Sequence, residues 1–161
     1  MKFEVPGVAA AFADLTAGSL FFVFKRSKQF GICVSLVGQK KGAIMLSTPA
    51  VPDGPVPWLA RGGLSQDALV SFPAAVLRAS HADITSDIDF GYLISAAGNF
   101  YIRAADQSLG DYGTFNLGTG QQEPLPQEAM TVAYSRWSIG IVTDGNFDPI
   151  FSFTPPSAAL A

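Results

Sequence analysis

The chain has 161 residues, 48% of them hydrophobic and 14% charged, with a net charge of −3, one histidine and one cysteine. That composition provides ample material for a core and needs no disulfide or metal to hold it. A lone His81 and a lone Cys33 exclude zinc clusters and an intrachain disulfide.

The charge is unevenly placed. Residues 1–41 carry six Lys or Arg against Glu4 and Asp14, whereas the remaining 120 carry four Arg against eleven acids. The opening resembles a signal peptide in its alanines, but Glu4, Pro6 and Gly7 interrupt an apolar stretch already too short, so no leader is expected. No run approaches the roughly 18 apolar residues of a membrane span. A cytoplasmic setting, or incorporation into an assembly, is the expectation. Residues 1–18 read as an N-terminal segment, with a short helix expected over Val8–Ala13.

Leu20–Phe24 is apolar on both faces, the mark of a strand covered on both sides. After Lys25–Gln29, Phe30, Ile32, Val34 and Leu36 alternate with Gly31, Cys33 and Ser35 at a period of two. Cys33 is read there as a small buried hydrophobe. Gly38–Gly42 turns the chain, and Ala43–Ser47 completes a three-stranded meander. Residues 48–63 hold four prolines and read as a long loop with Trp58 near its end. Residues 66–79 read as two short extended pieces.

Ile88, Phe90, Tyr92 and Ile94 alternate with Asp87, Asp89, Gly91 and Leu93, Ala96-Ala97-Gly98-Asn99 turns the chain, and Phe100–Arg103 returns as a hairpin. Gly113–Leu117 is a further strand and Gly118–Glu128 a loop. Thr131–Thr143 and Ile150–Phe153 flank Asp144-Gly145-Asn146 as a second hairpin. Eight or so short strands with Gly, Pro and Asn turns predict an all-β fold: a single-domain antiparallel β-sandwich or barrel over 19–154, followed by a loose tail at 155–161.

The candidate chemistry is sparse. His81 beside Asp83 is the weak catalytic candidate, a histidine able to act as general base. A histidine at a strand end is the plainer account. Asp87 and Asp89 would share one strand face, which solvation explains. Asp144, Asn146 and Asp148 alternate oxygen donors as calcium loops do, but the glycine and glutamate of that loop are missing. Lys25, Arg26 and Lys28 lie at the opposite end of a strand from Lys40 and Lys41, so they form no single nucleic-acid surface.

Two features stand above this background. Trp58 in a Pro-rich loop suits either an interface anchor or a lid. Leu20, Phe22 and Phe24 lie on one face of a strand whose other face is also apolar, so it needs two covers; a partner subunit would supply one, and the alternative is the Pro-rich loop or the N-terminal segment. The sequence thus points to a non-enzymatic structural or interaction domain that associates with copies of itself. It needs no cofactor, nucleic acid or membrane. The alternative is a carbohydrate or small-ligand module using Trp58, Tyr92, Tyr101 and Tyr112. A small hydrolase built on His81 comes third.

Overall fold

The computed structural model describes residues 7–23, 29–36, 38, 40–46, 57–62, 64, 69–106, 111–127 and 130–155. The fold is all-β, and its helical content among those residues is two 3-10 turns, Phe12–Asp14 and His81–Asp83. No described helix is long and apolar enough to cross a membrane.

The strands in chain order are β1 (Val8–Ala10), β2 (Leu20–Val23), β3 (Gln29–Ser35), β4 (Lys41–Met45), β5 (Trp58–Ala60), β6 (Leu69–Ser71) and β7 (Ala75–Ala79). They continue as β8 (Ile84–Thr85), β9 (Leu93–Ala96), β10 (Asn99–Asp106), β11 (Asp111–Asn116), β12 (Thr131–Tyr134), β13 (Trp137–Thr143) and β14 (Asn146–Phe153). A large, mostly antiparallel sheet runs β1-β6-β2-β3-β4-β5-β10-β9-β12-β8, with β11 also on β10. A small sheet runs β14-β13-β7. In the large sheet β1 and β8 are the two ends, so it is open and not closed into a barrel.

The expected meander is present as β2-β3-β4, with Leu20 opposite Ile32 and Cys33 opposite Ala43. Both hairpins turn on two residues in the left-handed region, Ala97-Gly98 (φ 49° and 76°) and Asp144-Gly145 (φ 51° and 80°). That geometry matches the twist of the flanking strands.

Four expectations need correction. Val8–Ala10 pairs with β6 as a strand, so Val8–Ala13 is not a helix; only Phe12–Asp14 coils, as a single 3-10 turn. The segment 48–63 is not loop throughout: Trp58–Ala60 forms β5, bonded to β4 and β10, while 47–56 and 63 lie outside the described residues. Ile88–Tyr92 is not a strand, because Gly91 takes φ 78° and breaks the extension before β9. Thr131–Thr143 is not one strand but two, β12 and β13, in different sheets.

That last break defines a corner. β7 and β8 flank β13 and β12 respectively, so residues 75–85 run beside 131–141 in both sheets. Between them the chain bends at Ser80–Asp83 and at Ser135-Arg136, tied by Ser135 N–H donating to the Asp83 carbonyl at 2.9 Å. Strands that change sheet through such a bend join two layers at a shared edge.

The main core lies between the two sheets. Leu20, Ile32, Val34, Ile44 and Leu59 from the large sheet meet Ile102, Ala104 and Phe115, with Trp137, Ile139 and Phe153 from the small one. A second cluster covers the opposite face of the meander: Phe21, Val23, Cys33, Ala43 and Met45 pack under Phe12 and Leu15. Ile94, Ala96 and Tyr101 form a third with Ile88 and Leu125.

Candidate functional site

The positions singled out from the sequence scatter. Leu20 lies in the main core, and Tyr101 is equally buried in the third cluster, so neither lines a surface. Phe22 is half-buried, its ring centroid 4.8 Å from that of Phe30. Phe24 falls outside the described residues. Tyr92 is half-buried edge-on to Phe153 at 6.4 Å. Trp58 is half-buried against the second cluster, opposite Met45 and beside Ala105, which makes it part of a sheet.

Both faces of β2 are covered within the chain. The Phe21 face is closed by the N-terminal segment: Phe12 stands edge-on to Phe21 with centroids 5.7 Å apart. Backbone bonds fasten this lid, with Gly18 N–H donating to the Cys33 carbonyl (2.7 Å) and Cys33 N–H to the Ser19 carbonyl (2.9 Å). The Lys41 ammonium donates to the Ala13 carbonyl. Gly31 makes room for Phe21, since a Cβ there would sit 2.5 Å from the ring. Burial pushes the Cys33 thiol up from its ordinary pKa, opposed by nearby Lys41, so the group is held as a neutral thiol.

The remaining candidates are separate. His81 is exposed in the 3-10 turn between β7 and β8, with Asp83 half-buried in the same turn. The Ser80 hydroxyl accepts from Ala82 N–H and caps that turn at 3.2 Å. Asp144 and Asn146 sit at the β13–β14 turn with Asp148 beyond them, all exposed. Among the described residues no three His, Cys, Asp or Glu side chains come together to hold a metal ion. Asp87 and Asp89 lie in the loop before Gly91, where Asp89 accepts from Phe90 N–H at 2.7 Å.

Three concavities stand out. A cavity of about 410 Å³ opens between the sheets, walled by Leu20, Ile32, Leu77 and Ile139 with Thr16 and Ser19 at its rim. A groove of about 460 Å³ crosses the outer face of the small sheet, where Arg78, Arg136 and several hydroxyls gather. A third, of about 480 Å³, runs between β11 and the 122–125 segment, lined by Arg103, Tyr112, Thr114, Gln122 and Glu123. In it the Arg103 guanidinium lies 4.7 Å from the Tyr112 ring centre. Below this groove, Asn116 accepts from Gly118 and Thr119 N–H groups and donates to Glu123 at 2.8 Å. Burial, and then the neighbouring Glu123 carboxylate, push the Tyr101 hydroxyl above its usual pKa.

Sequence reasoning missed the first two grooves because each is made by segments distant in the chain, and the third because it depends on how 122–125 folds against β11. It also missed the exposed edge. Among the described residues, β7 is bonded to β13 on one side only, and β8 to β12 on one side only. Along this edge Val76 and Ile84 are 40% and 48% exposed. Comparison with protein-family models, curated proteins and solved structures gives no match for this chain.

Proposed function

We propose that the chain is a structural or interaction domain, without catalytic function, that associates with copies of itself through an apolar β edge. The observation that carries the reading is the edge formed by β7 and β8, where Val76 and Ile84 are exposed and which, among the described residues, has a sheet neighbour on one side only. An edge strand presents a row of backbone donors and acceptors to another strand unless Pro, Lys or a bulge blunts it. Ala75-Val-Leu-Arg-Ala79 contains neither Pro nor Lys, and its one charge, Arg78, leans on Phe147 across β13. The far edge of the same sheet differs, since β14 carries Pro149 at a register shift. A two-fold pairing of β7 with its copy would be isologous and would satisfy the free backbone groups of both. The two sheets facing each other across the main core would then form a β-sandwich extended through the partner. This edge replaces β2 as the associating element, because β2 has the N-terminal segment on its Phe21 face and Leu20 in the main core on the other. The buried thiol of Cys33 is compatible with the cytoplasmic setting or assembly expected from the sequence.

The test is sedimentation equilibrium on the purified chain and on Val76→Lys. The reading expects an oligomer that the substitution dissociates while the circular dichroism spectrum holds. A second reading rests on the Tyr112 groove, where an exposed aromatic ring beside Arg103, Thr114, Gln122 and Glu123 suits a sugar ring stacking on Tyr112. A neutral-sugar array with Tyr112→Ala as control addresses it.

A further inference from the structure

The outer face of β14-β13-β7 collects hydrogen-bond donors in a pattern set by strand register. Arg78 stands opposite Ser138, and Ser138 stands opposite Ser152. Two residues away, just past the strand ends, come Ser80, Arg136 and Thr154. All six line the same groove of about 460 Å³, with Phe147 and Asp83.

Arg78 is paired with Ser138, and Arg136 lies two residues before Ser138, just outside β13; extending the register puts the two backbones roughly 7–8 Å apart. Two guanidinium forks at that spacing can close on one tetrahedral oxyanion, each offering paired N–H donors. Arg78 is already oriented, its guanidinium 4.4 Å from the centre of the Phe147 ring. Among the described residues neither arginine is in an ion pair, whereas Arg61 is committed to Asp106. Ser80 uses its oxygen to accept from Ala82 N–H, which leaves its proton to donate outward. The Ser138 and Ser152 hydroxyls lie 2.9 Å apart, so one proton of that pair is shared and the other is free. Asp83 is the one carboxylate among the lining residues, leaving the groove positive in a chain whose net charge is −3.

We propose that this face binds the oxyanion group of a phosphate or sulfate, with Arg78 and Arg136 bracketing the anion and the Ser80, Ser138, Ser152 and Thr154 hydroxyls completing its donors. Arg78 lies on β7, the strand proposed for self-association, and on the same face as Val76 two residues before it.

The test is isothermal titration with inorganic phosphate, inorganic sulfate and a dextran sulfate, at fixed ionic strength in chloride. Both arginines are exposed, so Arg78→Gln and Arg136→Gln are expected to unfold at the wild-type temperature. Each is expected to weaken binding at least tenfold, while Lys40→Gln, in a turn of the large sheet, leaves it unchanged. Inorganic ions bound nearly as tightly as the polymer, per anionic group, identify a free anion as the ligand. Polymer binding a hundredfold tighter, lost in the same two variants, identifies an ester displayed on a larger molecule. The proposal is overturned if no probe binds at tens of millimolar, or if binding persists in both arginine variants.

Discussion

Removing the ring of Phe12 tests the finding that the N-terminal segment covers the second face of β2. Phe21 is fully buried and Phe12 is 8% exposed, and the two rings meet edge-on. Truncating a buried phenylalanine to alanine costs about 3–5 kcal/mol, and an edge-on aromatic pair adds roughly 0.5–1.5 kcal/mol beyond its area. Phe12→Ala is therefore expected to cost about 3 kcal/mol and Phe21→Ala somewhat more, since Phe21 lies deeper. The double variant should fall short of the sum by about 1 kcal/mol, the coupling that contact implies. Urea unfolding followed by fluorescence reads this directly, because Trp58 packs against the same cluster. With an m-value of roughly 1.5–2 kcal/mol/M, the Phe12→Ala midpoint drops by about 1.5–2 M. All four proteins must be compared at one concentration, since association would stabilise the folded state by mass action. If Phe12→Ala changes stability by less than about 0.5 kcal/mol and shows no coupling to Phe21→Ala, the N-terminal segment does not cover this face and the argument fails.

Three further predictions concern the same interior. Gly31→Ala is expected to cost about 1–3 kcal/mol by overpacking, because its Cβ would sit 2.5 Å from the enclosed Phe21 ring; an unchanged thermal midpoint would contradict it. Trp137→Phe removes the 2.7 Å bond from the indole N–H to the Gly91 carbonyl, for about 1–3 kcal/mol before the cavity of the smaller ring is counted; a loss under about 0.5 kcal/mol in urea would count against it. The third is a pH dependence. Burial and Glu123 hold the folded Tyr101 hydroxyl above its usual pKa, so the unfolded chain ionises first and the contribution of this group fades as pH climbs past about 10. The stability of the wild type relative to Tyr101→Phe should accordingly fall between pH 8 and 11 in urea titrations, and a constant difference would refute the assignment.

Local chemistry made much of the fold legible. Alternation at Phe30–Leu36 marked β3, and the glycines of Ala97-Gly98 and Asp144-Gly145 marked their hairpins because tight two-residue turns need positive φ, which glycine adopts readily. What the sequence concealed is non-local. β5 is three residues long inside a Pro-rich stretch, too short for its period to show, and it is defined by the bonds that β4 and β10 offer. The run Thr131–Thr143 keeps a strand pattern straight through the bend at Ser135-Arg136, so nothing in it announces a change of sheet. The apolarity of β2 signalled a need for two covers, and the sequence offered a partner subunit, the Pro-rich loop or the N-terminal segment without deciding among them; Phe12 and Leu15 of the N-terminal segment pack on the Phe21 face. The candidate sites were less legible still. Arg78 and Arg136 are 58 positions apart and become neighbours only through the β7–β13 register. Leu20 and Tyr101, prominent in the sequence as apolar and aromatic residues, turned out to be core.

The proposal of self-association through the β7–β8 edge is tested most directly by sedimentation equilibrium of the wild-type chain over a range of micromolar concentrations. The account predicts a mass above the 16.9 kDa of one chain, rising with concentration, and a return to that mass in Val76→Lys. A wild-type protein that stays at 16.9 kDa at every concentration would contradict it.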